Sequence, residues 1–202
     1  MLLFKRKEPC SICGGEVSRL LGHKLSDGAL CSDCRRNCTQ YLSDPGYLSV
    51  EDIKRNMEAR TANQALYTFF NPVHVGATLY VDFQNQLWCL GYETESKQAY
   101  IFHFEELIDY QFIEDGKKIP RNNIDRATRD GFLFGKMGLW ERKGKGSIDN
   151  LSVLLTVKNE WIDRLTINIV HSTIQNGTLE YNNYLHKFEH IVQALEQMIP
   201  IQ

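Results

Sequence analysis

No apolar run among the 202 residues approaches the roughly 20 needed to cross a bilayer as a helix, so a membrane-spanning protein is excluded as a reading. The signatures of common catalytic scaffolds are also missing. There is no glycine-rich phosphate loop, no G-x-S-x-G nucleophile turn and no H-E-x-x-H metal pair. Six histidines are scattered, and those after the N-terminal region (among them His103, His171, His186 and His190) fall beside no matching nucleophile. A secretory leader is not visible: the start, Met1-Leu-Leu-Phe-Lys-Arg-Lys, puts charge after a very short apolar stretch, the reverse of the usual order. These absences lead to the expectation of a cytoplasmic, non-enzymatic protein with no evident small-molecule substrate. Composition adds that the chain can fold, since 43% of its residues are hydrophobic and 24% are charged.

What is present is cysteine in a particular pattern. Cys10, Cys13, Cys31 and Cys34 form C-x-x-C, seventeen residues, C-x-x-C. Each pair presents two thiolates to one ion, and the gap is long enough to bring the second pair back. A tetrahedral Zn²⁺ takes four such ligands, and a closed Cys₄ shell is the usual structural arrangement. Paired C-x-x-C without an export signal also favours metal over a disulfide framework. His23 and Cys38 are the alternative ligands, but two intact pairs already fill four positions. A redox role for either pair would expect a βαβ unit, and none is visible.

Around these ligands, Cys13-Gly14-Gly15 reads as a knuckle, Ser26-Asp27-Gly28 as a hairpin turn, and 35–42 as a short helix. Knuckle, hairpin and helix make a treble-clef-like finger over residues 1–42; a zinc ribbon is the alternative. Residues 1–38 carry seven Lys/Arg against four Asp/Glu, an excess that four thiolates and one Zn²⁺ bring near neutrality. Lys5, Arg6, Lys7, Arg35 and Arg36 would be the contacts if this finger bound nucleic acid. The sequence has neither a C₂H₂ pattern nor a long basic stretch to support that.

Residues 43–75 read as a helical connector. Ser43-Asp44-Pro45-Gly46 breaks the chain, and Ser49 caps a helix running to about Leu66. Ile53 and Met57 line a narrow apolar face, while Lys54, Arg55, Glu58 and Arg60 are expected in solvent. Phe69, Phe70 and Val73 are expected as core contacts of the next domain.

From residue 76 the period changes to two. Short β-branched and aromatic runs begin at Thr78, Leu87, Ala99, Leu107, Leu151 and Leu165, with turns at Gln84-Asn85 and Asp115-Gly116. The chain then ends in a helix over 179–198 with Tyr184, Phe188, Ile191, Val192, Leu195 and Met198 on one face. The fold class is therefore α+β: a Cys₄ finger, then a mostly antiparallel sheet or barrel closed by an amphipathic helix over 76–202. Six or seven strands before one helix is the order of a pleckstrin-homology-like domain.

One stretch inside this domain stands apart. Residues 117–145 hold nine Lys/Arg against three Asp/Glu, and their centre is apolar and punctuated by glycine. Arg129, Phe132, Phe134, Lys136, Trp140, Arg142, Lys143 and Lys145 are the candidate contact surface, either for an acidic protein or for an anionic membrane. The plainer alternative is a strand or hairpin with its phenylalanines inward and its lysines wet.

The segments C-S-I-C-G-G and L-S-D-G-A-L-C-S-D-C resemble the N-terminal zinc domain of a family of uncharacterised proteins from Gram-positive bacteria and their phages. In that family the zinc domain often precedes an F-x-x-E-x-I-x-x-Y-type strand entry, a glycine-rich apolar insert and a final amphipathic helix. Here Phe104-Glu105-Glu106-Leu107-Ile108-Asp109-Tyr110, residues 131–138 and the last helix stand in that order. The resemblance implies zinc held by Cys10, Cys13, Cys31 and Cys34, and it implies no catalytic residues. The functional expectation is a binding or adaptor protein that recognises another protein. Nucleic-acid binding through the finger and membrane binding through 129–145 are the rivals.

Overall fold

The computed structural model describes residues 8–18, 20–92, 99–119, 146–175 and 178–199. The expected surface from Arg129 to Lys145 lies outside them, as do Lys5, Arg6 and Lys7. The chain divides into two compact units, residues 1–68 and 69–202.

The first unit begins with a knuckle closed by backbone bonds. Cys10 N–H donates to Gly15 O at 2.7 Å and Gly14 N–H to Cys10 O at 2.8 Å. Gly14 sits at φ +73°, a left-handed conformation that a side chain at this position would strain. A hairpin follows, β1 His23–Lys24 against β2 Ala29–Leu30. Ser11 fastens the knuckle to β2: its N–H donates to Ala29 O, and its hydroxyl accepts from Ala29 N–H.

The helix after the hairpin is α1, Ser32–Arg36, which places Cys34 inside it rather than before it as the sequence suggested. The reason is the cap. Cys31 is extended at φ −78°, ψ 160°, and its sulfur accepts from Cys34 N–H, the role serine usually plays at a helix start.

Helix α2 spans Val50–Leu66 and begins with a capping box between Ser49 and Asp52, as Ser49 and the acidic first turn suggested. Asp27 at the hairpin tip accepts from a further amide of the helix start, the Val50 N–H, at 2.8 Å. The buried residues of α2 are Ile53, Asn56 and Asn63. Arg60, expected in solvent, instead donates to the carbonyls of Arg36, at 2.8 Å, and Cys38. The helix read as a connector over 43–75 is thus hydrogen-bonded to the finger and counts with it in the first unit.

The second unit holds two separate four-stranded antiparallel sheets. One is the meander β3 Val73–Gly76, β4 Leu79–Asp82, β5 Leu87–Leu90 and β6 Phe102–His103. The other has the order β11-β10-β7-β8, from β7 Leu107–Glu114, β8 Lys117–Ile119, β10 Leu151–Val157 and β11 Arg164–Val170. A two-residue pair joins β9 Ser147–Ile148 to β12 Ile174–Gln175. No ladder links the two larger sheets among the described residues, so the sheet alternative holds and a closed barrel does not form.

Turns fall where the sequence placed them. Asp115 at φ 47° and Gly116 at φ 77° close the β7–β8 hairpin, the left-handed pair that a two-residue turn requires. Helix α3, Leu179–Met198, packs on β3, β11 and β12 and so closes both sheets. Phe188, Ile191, Val192, Leu195 and Met198 are buried as expected, with Tyr181 and Ala194 added. Tyr184 is only half-buried, with the Lys187 ammonium 5.0 Å above its ring. Gly76 makes the close approach possible, because a Cβ there would lie 3.2 Å from the Lys187 carbonyl oxygen. Trp88 stacks on Phe102 at 4.7 Å and donates its indole N–H to His103 O. Of Phe69, Phe70 and Val73, all expected in the core, Phe70 is buried, but Phe69 and Val73 are half exposed.

Asp82 ends β4 and organises the turn after it. Its carboxylate accepts from Asn71 N–H at 2.8 Å, Gln84 N–H at 3.1 Å, Asn85 N–H at 3.0 Å and Asn85 Nδ2 at 2.8 Å. Burial alone would push this carboxyl's pKa up, but the four donors stabilise the anion more and hold the pKa below its ordinary value. A depressed carboxyl contributes stability that is fully present above the unfolded pKa of about 4 and is lost as pH falls through the folded value. Asp82→Asn should therefore lower Tm at pH 7 yet flatten the decline of Tm between pH 5 and 2, measured against the parent chain. Equal acid slopes for the two proteins would remove Asp82 from that role.

Candidate metal centre

The knuckle, β2 and α1 bring four sulfurs together. Those of Cys10, Cys13, Cys31 and Cys34 all lie within 4.8 Å of one another. Cys13 and Cys31, from different pairs, are 3.7 Å apart. A tetrahedral ion with metal–sulfur bonds of about 2.3 Å would hold its sulfurs about 3.8 Å apart, so the spacing fits one such ion. The donor set fits as well: four soft sulfurs with no carboxylate or imidazole among them. His23 and Cys38, the two alternative ligands, are not members of the cluster.

Backbone amides support the sulfurs. Cys31 N–H donates to Cys10 Sγ, Gly15 N–H to Cys13 Sγ and Cys34 N–H to Cys31 Sγ, each at 3.4 Å. Such N–H···S bonds orient a ligand and favour its thiolate form. Burial raises the pKa of Cys10, but amide donors, from Cys13 and Cys31 foremost, outweigh it and bring the thiol down to about 6. Cys34 goes the other way, held protonated by burial and by its three sulfur neighbours. Four thiolates cannot share this volume unaided, because their charges repel. A divalent cation at the centre removes that repulsion and lets all four ionise.

Exposure divides the four. Cys10, Cys31 and Cys34 are buried, and Cys13 is exposed. The other two cysteines are of a different kind. Cys89 is fully buried in β5, and burial pushes its thiol up to about 12. Cys38 is buried, donates weakly to Cys34 O at 3.5 Å, and also has its pKa raised by burial. Both behave as small apolar side chains.

Two basic residues of the described finger have partners inside it. Arg35 donates to Leu42 O at 3.3 Å, and Arg36 is paired with Asp33. On α3, His186 and His190 are exposed, and His186 lies 3.3 Å from Glu189. Sequence reasoning missed Asn56 and Arg60, because polar residues at helical spacing read as a solvated face. Among the described residues no helix is long and apolar enough to cross a membrane.

Compared with known proteins, the chain gives no match to a curated protein and none to a solved structure. Residues 8–56, which include all four clustered cysteines and the first part of α2, match the model of a domain of unknown function, DUF4428.

Proposed function

We propose that the protein is a non-enzymatic, zinc-containing adaptor of a reducing, cytoplasmic compartment, in which a Cys₄ zinc finger is joined to a pleckstrin-homology-like domain that recognises another protein. The convergence of Cys10, Cys13, Cys31 and Cys34 on one point carries the reading. Zinc is favoured among soft-ligand ions because it has no redox chemistry and accepts a closed four-thiolate shell. In this role the ion is structural. It neutralises the thiolates and ties the knuckle to α1, and no ligand position remains open for a substrate.

The second unit supports the adaptor part of the reading through its strand order. A four-strand meander, β3 to β6, precedes a second antiparallel run in which β7, β10 and β11 are successive neighbours, and a helix ends the chain. A run of strands followed by one closing helix is the order on which the pleckstrin-homology-like reading, of a scaffold that binds rather than reacts, is based. Nucleic-acid binding is less supported, since the finger has neither a C₂H₂ pattern nor a long basic stretch.

Native mass spectrometry of the tagged protein, purified gently from its own host, tests the proposal. The expected species is the chain with one zinc and a second polypeptide. The chain with zinc alone would overturn the stable-partner part. Reduced cysteines with no zinc would overturn the whole.

A further inference from the structure

Helix α1 ends at Arg36, and the chain continues through a turn at Asn37 and Cys38. Helix α2 supplies the contacts that hold this turn. Asn56 is fully buried and makes a two-point contact with Thr39, itself buried. Its Oδ1 accepts from the Thr39 N–H at 2.7 Å, and its Nδ2 donates to the Thr39 hydroxyl at 3.0 Å. One turn further on, Arg60 Nη1 donates to the carbonyls of Arg36 and Cys38. These lie at and just beyond the C-terminal end of α1, where unpaired carbonyls carry partial negative charge that a guanidinium satisfies. The other end of α2 is held by the hairpin tip, through Asp27 to the Val50 N–H and Ser26 to Leu48 O. The segment carrying Cys31 and Cys34 therefore lies between two points that α2 fixes.

We infer that Asn56 and Arg60 are positioning residues of the metal centre: they hold the Cys31–Cys34 segment in ligating geometry, so that ion binding and docking of α2 form one linked equilibrium. The inference rests on the zinc reading above. A separate observation bears on Asn56: the family match does not stop after Cys34 but continues to residue 56, while Arg60 lies beyond it. Linkage makes the effect reciprocal. Whatever factor a docked α2 adds to ion affinity, the ion adds to the docking of α2.

The test uses the full chain and two ions, zinc in competition with a chromophoric chelator and cobalt as a spectroscopic probe. Asn56→Ala and Arg60→Ala should each weaken zinc binding by roughly 10- to 100-fold, the range seen when groups supporting a metal's ligands are lost. One ion per chain and the four-thiolate cobalt spectrum should remain. Asn56→Asp keeps an acceptor for the Thr39 amide, and Arg60→Lys keeps a cation for the carbonyls, so each should recover part of the loss. A measurement that needs no variant accompanies these. In the parent protein, amides of α2 around Ile53 to Asn63 should exchange at least tenfold faster once zinc is chelated. If the parent binds zinc but both alanine variants bind within twofold of it, or if α2 exchange ignores chelation, the inference is overturned and the zinc reading stands. A parent chain that binds neither ion overturns both. Should an alanine variant fail to fold, the exchange measurement on the parent decides.

Discussion

Cys34→Ala is expected to abolish ion binding and to unfold the described part of the first unit, while Cys38→Ala, four residues away, leaves one ion per chain. The contrast follows from geometry. The Cys34 sulfur belongs to the cluster, whereas Cys38 is buried beside it without joining it. Among its described residues the first unit has little else to hold it, the large buried apolar side chains there being Leu25, Leu30, Leu42 and Ile53. A core of that size rarely supplies more than about 3–5 kcal/mol. A structural zinc contributes apparent binding energies of about 10–16 kcal/mol in small fingers, and that energy is folding energy. Removing one of four ligands should thus cost more than the core can offset. Amide exchange at β1, β2 and α2 would show it, with protection lost in Cys34→Ala and kept in Cys38→Ala. Retained protection in the Cys34 variant would mean that the first unit folds without its metal.

Phe188→Ala should cost the second unit about 3–5 kcal/mol, the usual range for emptying a buried phenylalanine site. The ring is fully buried and meets Phe112 of β7 edge to face, 4.7 Å between centroids. It sits in the helix that packs on strands of both sheets, with Ile191, Val192 and Leu195 buried beside it. Collapse around the cavity is restricted, since Gly76 already brings β3 against the α3 backbone. At roughly 3 °C per kcal/mol for a unit of this size, the melting temperature should drop by about 10 °C or more. Tyr184→Ala, on the half-buried margin of the same helix, should cost less than about 1 kcal/mol. Equal losses at the two positions would show that α3 does not close the sheets as described.

The clustering of Cys10, Cys13, Cys31 and Cys34 was legible because it is written in spacing, and spacing survives any error about the elements that carry the four residues. The same holds for α3, whose buried face is almost wholly apolar and repeats at the helical period. Helix α2 was legible as a helix, through Ser49 and Asp52, but its partner was not. Its buried positions run Ile53, Asn56 and Asn63, with Arg60 bonded on the same side. A stripe that is three-quarters polar gives little hydrophobic period, so the sequence showed only a linker helix with a narrow apolar face. Its specificity lies in hydrogen bonds to a backbone whose path is known only after folding. The early start of α1 was hidden for a similar reason, since a cysteine sulfur took the capping role usually given to an oxygen. The short strands β3, β8, β9 and β12 lacked a long enough alternating run to be noticed.

Uneven burial of the four clustered cysteines would, with zinc bound as proposed, govern the rates at which the centre gains and loses its ion. Three of the ligand residues are screened from solvent, and Cys13 is the exposed one. With zinc bound as proposed, a competing chelator, a metal-delivering thiol or a proton would reach Cys13 before the others. Exchange would then proceed stepwise from a single entry point, the first metal–sulfur bond breaking at the knuckle while Cys31 and Cys34 still held the ion. The residence time of the metal would be set at Cys13, even though its affinity would be shared among four ligands.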